Sequence, residues 1–292
     1  MRSGISRALA AMGLIGATLL AGCARVDLTN EWPSLAEPTG WEPKAGVCTD
    51  EGFAETSYRN TYKPMDCTKS HAFETVHIGQ FTGDAAGLTK PPGIGHSAMT
   101  AAWNECDAKT NEYLGGPWRD GRIWFGVSVP SVGTWEGGAR WFRCEVMASS
   151  DRFGETPQKL TASLKGNFAA ATDLKFGCFL RPENDAADWQ TVDCGTKHNI
   201  EYVGSFPATT ERDKIKDDSG YYTKCRSLIA AYAGLPDDGN MKYRVGTYLS
   251  WRNAEFWKEG DNWVRCHLWV STRMLTSSVK GGGTKALPIQ YR

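Results

Sequence analysis

The stretch Asp193-Cys194-Gly195-Thr196-Lys197-His198-Asn199-Ile200-Glu201 shares its Asp, Cys, His and Glu, at the same spacing, with Asp66-Cys67-Thr68-Lys69-Ser70-His71-Ala72-Phe73-Glu74. Three more anchors follow the same order in both halves. Gly46-Val47-Cys48 answers to Gly177-Cys178, and Cys106-x6-Tyr113-x-Gly115 to Cys225-x6-Tyr232-x-Gly234. Trp135-x2-Gly138-x2-Trp141-x-Arg143-Cys144 answers to Trp257-x2-Gly260-x2-Trp263-x-Arg265-Cys266. The chain is therefore a tandem duplication of a module of about 100 residues, the size of a small domain. Two copies are too few for a solenoid, so two domains are expected, separate or paired.

The duplication accounts for eight of the nine cysteines, and the ninth lies in the amino-terminal segment. Arg2 and Arg7 precede thirteen uncharged residues, Ala8 to Leu20, in the pattern of a secretory signal peptide over 1–22. The run is short of the about 20 apolar residues that span a bilayer. It ends in Leu20-Ala21-Gly22-Cys23, which resembles the lipobox of bacterial lipoproteins, with cleavage before Cys23 and a lipid on its thiol. Several acyl chains at about 0.8 kcal/mol per buried methylene would hold the protein on the membrane, where one chain is marginal. Residues 23–45 carry Pro33, Pro38 and Pro43 and read as a lipidated tether.

The 33 basic and 33 acidic residues of the whole chain balance; losing Arg2 and Arg7 leaves 31 against 33, a net charge of −2. Nothing in that balance attracts nucleic acid. Hydrophobic content of 41% and charged content of 23% fit a folded chain. Module 1 is placed at 46–148, a linker at 149–172 with a short helix over 158–168, module 2 at 173–271, and a flexible, glycine-bearing tail at 272–292.

Within each module the patterns are mixed. Met99, Ala102, Trp103, Cys106 and Tyr113 form the apolar stripe of a helix from Ser97, a cap, to Leu114, which Gly115 and Gly116 end. The second copy repeats this with Tyr222, Cys225, Ile229 and Tyr232, stopped by Gly234. Residues 74–81, 122–129 and 141–147, and their counterparts 200–206, 243–249 and 263–270, read as strands. The expected fold class is α+β: two disulfide-stabilised modules, each an antiparallel sheet packed with one main helix. Pairing Cys106–Cys144 and Cys225–Cys266 would staple helix to sheet, and Cys48–Cys67 and Cys178–Cys194 would tie the module starts, although four cysteines allow three connectivities per module.

No catalytic constellation stands out. The sequence has no Gly-x-Ser-x-Gly elbow, no phosphate-binding loop, no His-Glu-x-x-His and no Cys-x-x-Cys. His71, Glu74, His198 and Glu201 beside cysteines could suggest a metal, but a disulfide sulfur is a poor ligand, and a structural role around the disulfides is the expectation. Neither metal nor cofactor is called for. Among twelve tryptophans, the four in the repeat read as core, while Trp118 and Trp251 flank it and are candidates for an exposed binding platform. Arg143 and Arg265, one residue before a cysteine on a strand, face away from the core and complete that candidate surface.

These anchors resemble the septum formation family, small exported or membrane-attached domains of actinobacteria. Its pattern of Val-Asp-Cys-x3-His-x2-Glu is met by Val192-Asp193-Cys194 with His198 and Glu201, and by Met65-Asp66-Cys67 with His71 and Glu74. The acid expected before the first cysteine is Val47 in one copy and Gly177 in the other. The Gly-Asp-Arg near the last cysteine is Gly138-Ala139-Arg140 in one and Gly260-Asp261-Asn262 in the other, which favours a structural role for the motif. The resemblance implies disulfides at these cysteines, a role in the cell envelope linked to septation, and no active site. The expected protein is thus a lipid-anchored, non-catalytic binder on the outer face of the membrane. Its partner would be an envelope or division protein or a cell-wall glycan. The alternatives are a glycan hydrolase, needing paired carboxylates in a cleft, and a lipid or glycolipid carrier, needing a large apolar cavity.

Overall fold

A computed structural model describes residues 40–290 except 171, 183–188 and 272. The signal peptide at 1–22, Cys23 and the tether up to residue 39 lie outside the described residues. The described residues belong to one compact unit, so the two modules share a single body.

Module 1 contains β1 (Val47–Thr49), β2 (Thr56–Ser57), β3 (Phe73–Gln80), α1 (Ser97–Leu114), β4 (Ile123–Pro130), α2 (Val132–Glu136) and β5 (Trp141–Ala148). Module 2 contains β6 (Cys178–Leu180), β7 (Gln190–Val192), β8 (Ile200–Pro207), α3 (Ser219–Ala233), β9 (Gly246–Ser250), α4 (Ala254–Glu259) and β10 (Trp263–Trp269), with a short α5 (Gly283–Ala286) behind them. The sheets run β1-β3-β5-β4-β2 and β7-β6-β8-β10-β9. This is an α+β arrangement, with α1 and α3 each packed on one face of a five-stranded sheet. One pairing departs from the antiparallel rule: β2 lies parallel to β4, Thr56 opposite Val129.

Local sequence explains the helices. His96, rather than Ser97, caps α1 by accepting from the Ala98 N–H at 3.1 Å, and Gly115 ends it in the left-handed conformation. Asp218 caps α3 in the same way, and Gly234 closes it. Ala102, Trp103 and Cys106 on α1 pack against Phe125, Val127, Phe142 and Cys144 of the sheet. The same face of α3 brings Cys225 to Cys266. The register of the central strand pairs slips at matching places, beside Cys144 in β3–β5 and beside Cys266 in β8–β10, so the bulge is duplicated with the fold. Each helix cysteine is bonded to a last-strand cysteine, Cys106–Cys144 and Cys225–Cys266, and each module start is closed by Cys48–Cys67 or Cys178–Cys194.

Two sequence-based boundaries are corrected. Residues 149–170 are not a linker with a helix over 158–168: Leu160 bridges to His71 of module 1, and Leu164 and Phe168 are buried in its core. Likewise residues 273–290 are not a flexible tail, because Leu275 bridges to His198 while Val279 and Leu287 are buried in module 2. Both segments carry spaced leucine, valine or phenylalanine side chains whose burial outweighs the glycines and serines around them.

The chain-entropy description of a cross-link makes the staple separations informative. Removing Cys225–Cys266, at a sequence separation of 41, is expected to cost about 4 kcal/mol, and Cys178–Cys194, at a separation of 16, about 3 kcal/mol. Urea unfolding of the two double Cys→Ala variants checks this order; equal or inverted losses would contradict it.

Candidate functional site: two buried clasps, a charged junction and a groove

His71 and Glu74 sit at the start of β3, fully buried, and His198 and Glu201 repeat them at β8. Asp66 and Cys67 precede a tight turn that aims the first imidazole inward. Its Nδ1 meets the Lys69 carbonyl at 2.7 Å and its Nε2 the Glu74 carboxylate at 3.2 Å. His198 meets the Thr196 carbonyl at 2.7 Å and Glu201 at 3.1 Å. In both copies each ring nitrogen faces an oxygen, one backbone carbonyl and one carboxylate. The rest of each carboxylate is saturated as well. Glu74 accepts from the Leu164 N–H (2.7 Å), Tyr113 hydroxyl (2.8 Å) and Ser163 hydroxyl (2.9 Å). Glu201 accepts from the Val279 N–H (2.9 Å), Tyr232 hydroxyl (2.7 Å) and Ser278 hydroxyl (2.8 Å). Burial and the neighbouring carboxylate push the Tyr113 phenol up to about 12, which keeps it a donor.

These contacts reveal a fifth repeat anchor that is inconspicuous in the sequence. Leu160-Thr161-Ala162-Ser163-Leu164-Lys165-Gly166 corresponds to Leu275-Thr276-Ser277-Ser278-Val279-Lys280-Gly281. Each is a strap pinned at the His backbone, the Glu carboxylate and the end of the main helix, where Gly166 and Gly281 donate to the carbonyls of Tyr113 and Tyr232. The motif is a clasp. The donor set does not fit a metal: ligand atoms of Cys48, His71 and Glu74, and of Cys178, His198 and Glu201, lie within 4.8 Å of one another, but both cysteines are in disulfides and both carboxylates already accept from donors.

The residues expected on an exposed platform are placed elsewhere. Trp118 is buried, in the turn after α1, and its indole N–H donates to Asp107 at 2.5 Å. Arg143 is buried against Glu145 at 3.2 Å and the Tyr62 ring. Arg265 is buried over Phe176 and donates to the Arg119 carbonyl at 3.3 Å. Trp251 is half-buried against the second module's core. Alternation along a strand does turn the arginines away from the helix, but the opposite face of each sheet is covered too, by chain 41–65 in one module and by the partner module in the other.

That module junction is charged. Arg119 lies between the Trp118 and Trp263 rings, 4.4 Å from each centroid, and donates to Asp107 (2.6 Å) and Asp261 (3.3 Å). Arg252 faces Asp261 at 3.1 Å and donates to the Ile123 carbonyl at 2.5 Å; complete burial pulls its guanidinium down to about 9. The Tyr202 hydroxyl of module 2 donates to Asp120 of module 1 at 2.6 Å. Gly260, at φ +123°, presses so close to Trp103 that a Cβ there would sit 2.8 Å from the ring, which gives the repeat glycine a reason. The Gly-Asp-Arg motif is thus divided by task. Asp261 in copy 2 joins the modules, and Arg140 in copy 1 stays inside its own, donating to the Ala86 and Trp135 carbonyls at 2.6 Å.

Beside the junction opens a groove with a cavity of about 180 Å³. Met99, Trp103, Val127 and Val129 line it, the loop Lys90-Pro91-Pro92-Gly93-Ile94-Gly95 forms one wall, and Glu55 and Glu259 stand at the module boundary. Ile94 and Val132, at its rim, are about half exposed. Glu259 is pushed up to about 7 by burial and by the Glu55 carboxylate. A second hollow of 860 Å³ lies along Lys242, Tyr243, Arg244, Trp269, Ile289 and Gln290.

The septum formation family pattern matches residues 45–266, from the start of β1 through the last cysteine of module 2. The chain belongs to the septum formation family. That span takes in the His–Glu pairs of both copies and the junction between the modules, while the second strap lies beyond it. No curated protein and no solved structure matches the chain. Four disulfides indicate an extracytoplasmic protein, and no described helix is long and apolar enough to cross a membrane.

In Glu201→Gln, the amide NH2 would face groups that are themselves donors. We expect a stability loss of about 3 kcal/mol, in the range for breaking a buried ionic pair. Amide exchange at Val279 and Gly281 should accelerate. Unchanged protection at those amides would show that the strap does not depend on the carboxylate.

Proposed function

We propose that the protein is a lipid-anchored binding protein of the cell envelope, held to the outer face of the membrane through Cys23 and acting in septation or envelope growth without catalysis. Family membership and the disulfides support the setting, and the lipobox at Leu20-Ala21-Gly22-Cys23 supports the anchor. The observation that carries the binding role is the groove. The histidine and glutamate of the family motif are committed to internal contacts, whereas the groove presents apolar walls and half-exposed Ile94 and Val132 to the surroundings. At about 180 Å³ it is smaller than the roughly 300–1,000 Å³ of drug-sized ligand sites, and it suits an anchoring side chain of a protein partner.

One observation favours a second reading, hydrolysis of an envelope glycan: Glu55 and Glu259 form a carboxylate pair in a cleft, with Glu259 poised to carry a proton near neutrality. The walls speak against it, because an apolar lining offers few partners for sugar hydroxyls. Release of reducing ends from cell-wall glycan, lost in Glu259→Gln, would decide for it.

Two experiments test the main reading. Cys23→Ser should move the protein from the membrane to the soluble fraction and abolish incorporation of labelled palmitate; retention with label would refute the anchor. A photo-crosslinking residue at Ile94 should give a discrete adduct with an envelope protein in growing cells. No adduct, together with unaltered division and envelope on deletion, would refute the binding role.

A further inference from the structure

Glu55 and Glu259 are an unusual pair to find on the wall of an apolar groove. Glu55 lies on the segment that leads into β2, and Glu259 ends α4 of the other module. Neither side chain has a hydrogen bond or ion pair among the described residues. The remaining charged groups around Glu259 do not neutralise it. Arg252 favours its ionised form but is itself paired with Asp261, which also faces Arg119 across the junction, while Glu255 and Asp261 add negative charge. Lys90 and Lys258 line the groove but are exposed and have no ion pair among the described residues. A half-buried carboxylate beside a second one, over an apolar floor, is complementary to a cation carried on an apolar stem.

We propose that the groove binds a lysine or arginine side chain of a protein partner, with its apolar neighbour against Met99, Trp103 and Val127 and its charged head between Glu55 and Glu259. This rests on the binding role proposed above and supplies the chemistry of the partner. A lysine stem is itself apolar for four carbons, so floor and acids act on adjacent parts of one segment. In the free protein Glu259 relieves the repulsion by taking up a proton, with a midpoint near pH 7. An incoming cation favours the ionised form, so binding expels that proton. Affinity therefore rises with pH through the midpoint, by about tenfold between pH 6 and pH 8, as the ionised fraction does.

The test uses the full chain in non-ionic detergent micelles and three probes, Ac-Leu-Lys-NH2, Ac-Leu-Gln-NH2 and Ac-Leu-Glu-NH2, titrated by NMR. The lysine peptide should bind at least tenfold more tightly than the glutamate peptide, and its affinity should rise about tenfold from pH 6 to pH 8. Glu259→Gln should erase the advantage of lysine over glutamine while leaving the glutamine peptide unchanged, which separates lost charge recognition from lost folding. Ile94→Asp, at the exposed rim, should weaken the glutamine peptide. Equal binding of all three peptides, a flat pH profile for the lysine peptide, or no binding of any would overturn the proposal. None of these results bears on the membrane release of Cys23→Ser or on a crosslinked adduct at Ile94, so failure here is distinguishable from failure of the broader reading.

Discussion

A buried carboxylate organises each module. Glu74 and Glu201 are removed from water at the start of a central strand, where an uncompensated charge would cost several kcal/mol. Each is compensated from four directions: by an imidazole on its own turn, a tyrosine hydroxyl on the main helix, and a serine hydroxyl and backbone N–H on a strap that arrives 89–90 residues later in the first copy and 77–78 in the second. The charge can stay buried only when strand, helix and strap are all in place. The clasp therefore couples the most distant parts of the module, and the disulfide between helix and last strand holds the same helix to the same sheet nearer its middle.

This gives the histidine and glutamate of each copy a structural task. A disulfide alone would tie cysteine to cysteine and leave the strap free. The clasp fixes the strap, and in the first copy the strap leads directly into Leu174 and the entry to module 2. Duplication then left two identical joints with different surroundings. The first copy is enclosed by chain 41–65 on its far face, where Trp41 packs on Trp141 and Phe53 on Trp124. The second is enclosed by the first copy itself, through Arg119, Asp120 and the turn that holds Trp118. The modules are therefore not interchangeable beads, although their internal wiring is the same.

What is legible in the sequence follows what the repeat repeats. Cysteines, the His–Glu spacing and the helix-ending glycines recur as rare residues at fixed intervals, so the module, its α+β class and its helix can be placed from the pattern alone. The strap recurs just as faithfully, but in leucine, serine, lysine and glycine, which are common residues and look like linker and tail. Only an alignment of Leu160-x2-Ser163 with Leu275-x2-Ser278 brings it out. Trp118, Arg143 and Arg265 escape for another reason: strand alternation says which face a side chain takes, and cannot say that a second layer covers that face. Chain 41–65 has little periodicity of its own, and Asp120 and Tyr202 meet only because the modules dock. Nothing local announces either.

The groove, too, exists only because the modules dock. Its floor belongs to α1 and β4 of the first copy, but Glu259 comes from the second, one residue before the glycine that presses on Trp103. Trp103 therefore serves two neighbours: it bears the module 2 backbone at Gly260 and lines the groove. Asp261, the next residue, is held by Arg119 and Arg252. The ion pairs of the junction thus fix Gly260, Gly260 fixes the approach to Trp103, and the position of Glu259 at the wall follows. A residue pair that reads in sequence as a damaged Gly-Asp-Arg motif sets the distance between an acidic wall and an apolar floor. The site belongs to neither copy, and one module on its own would lack it.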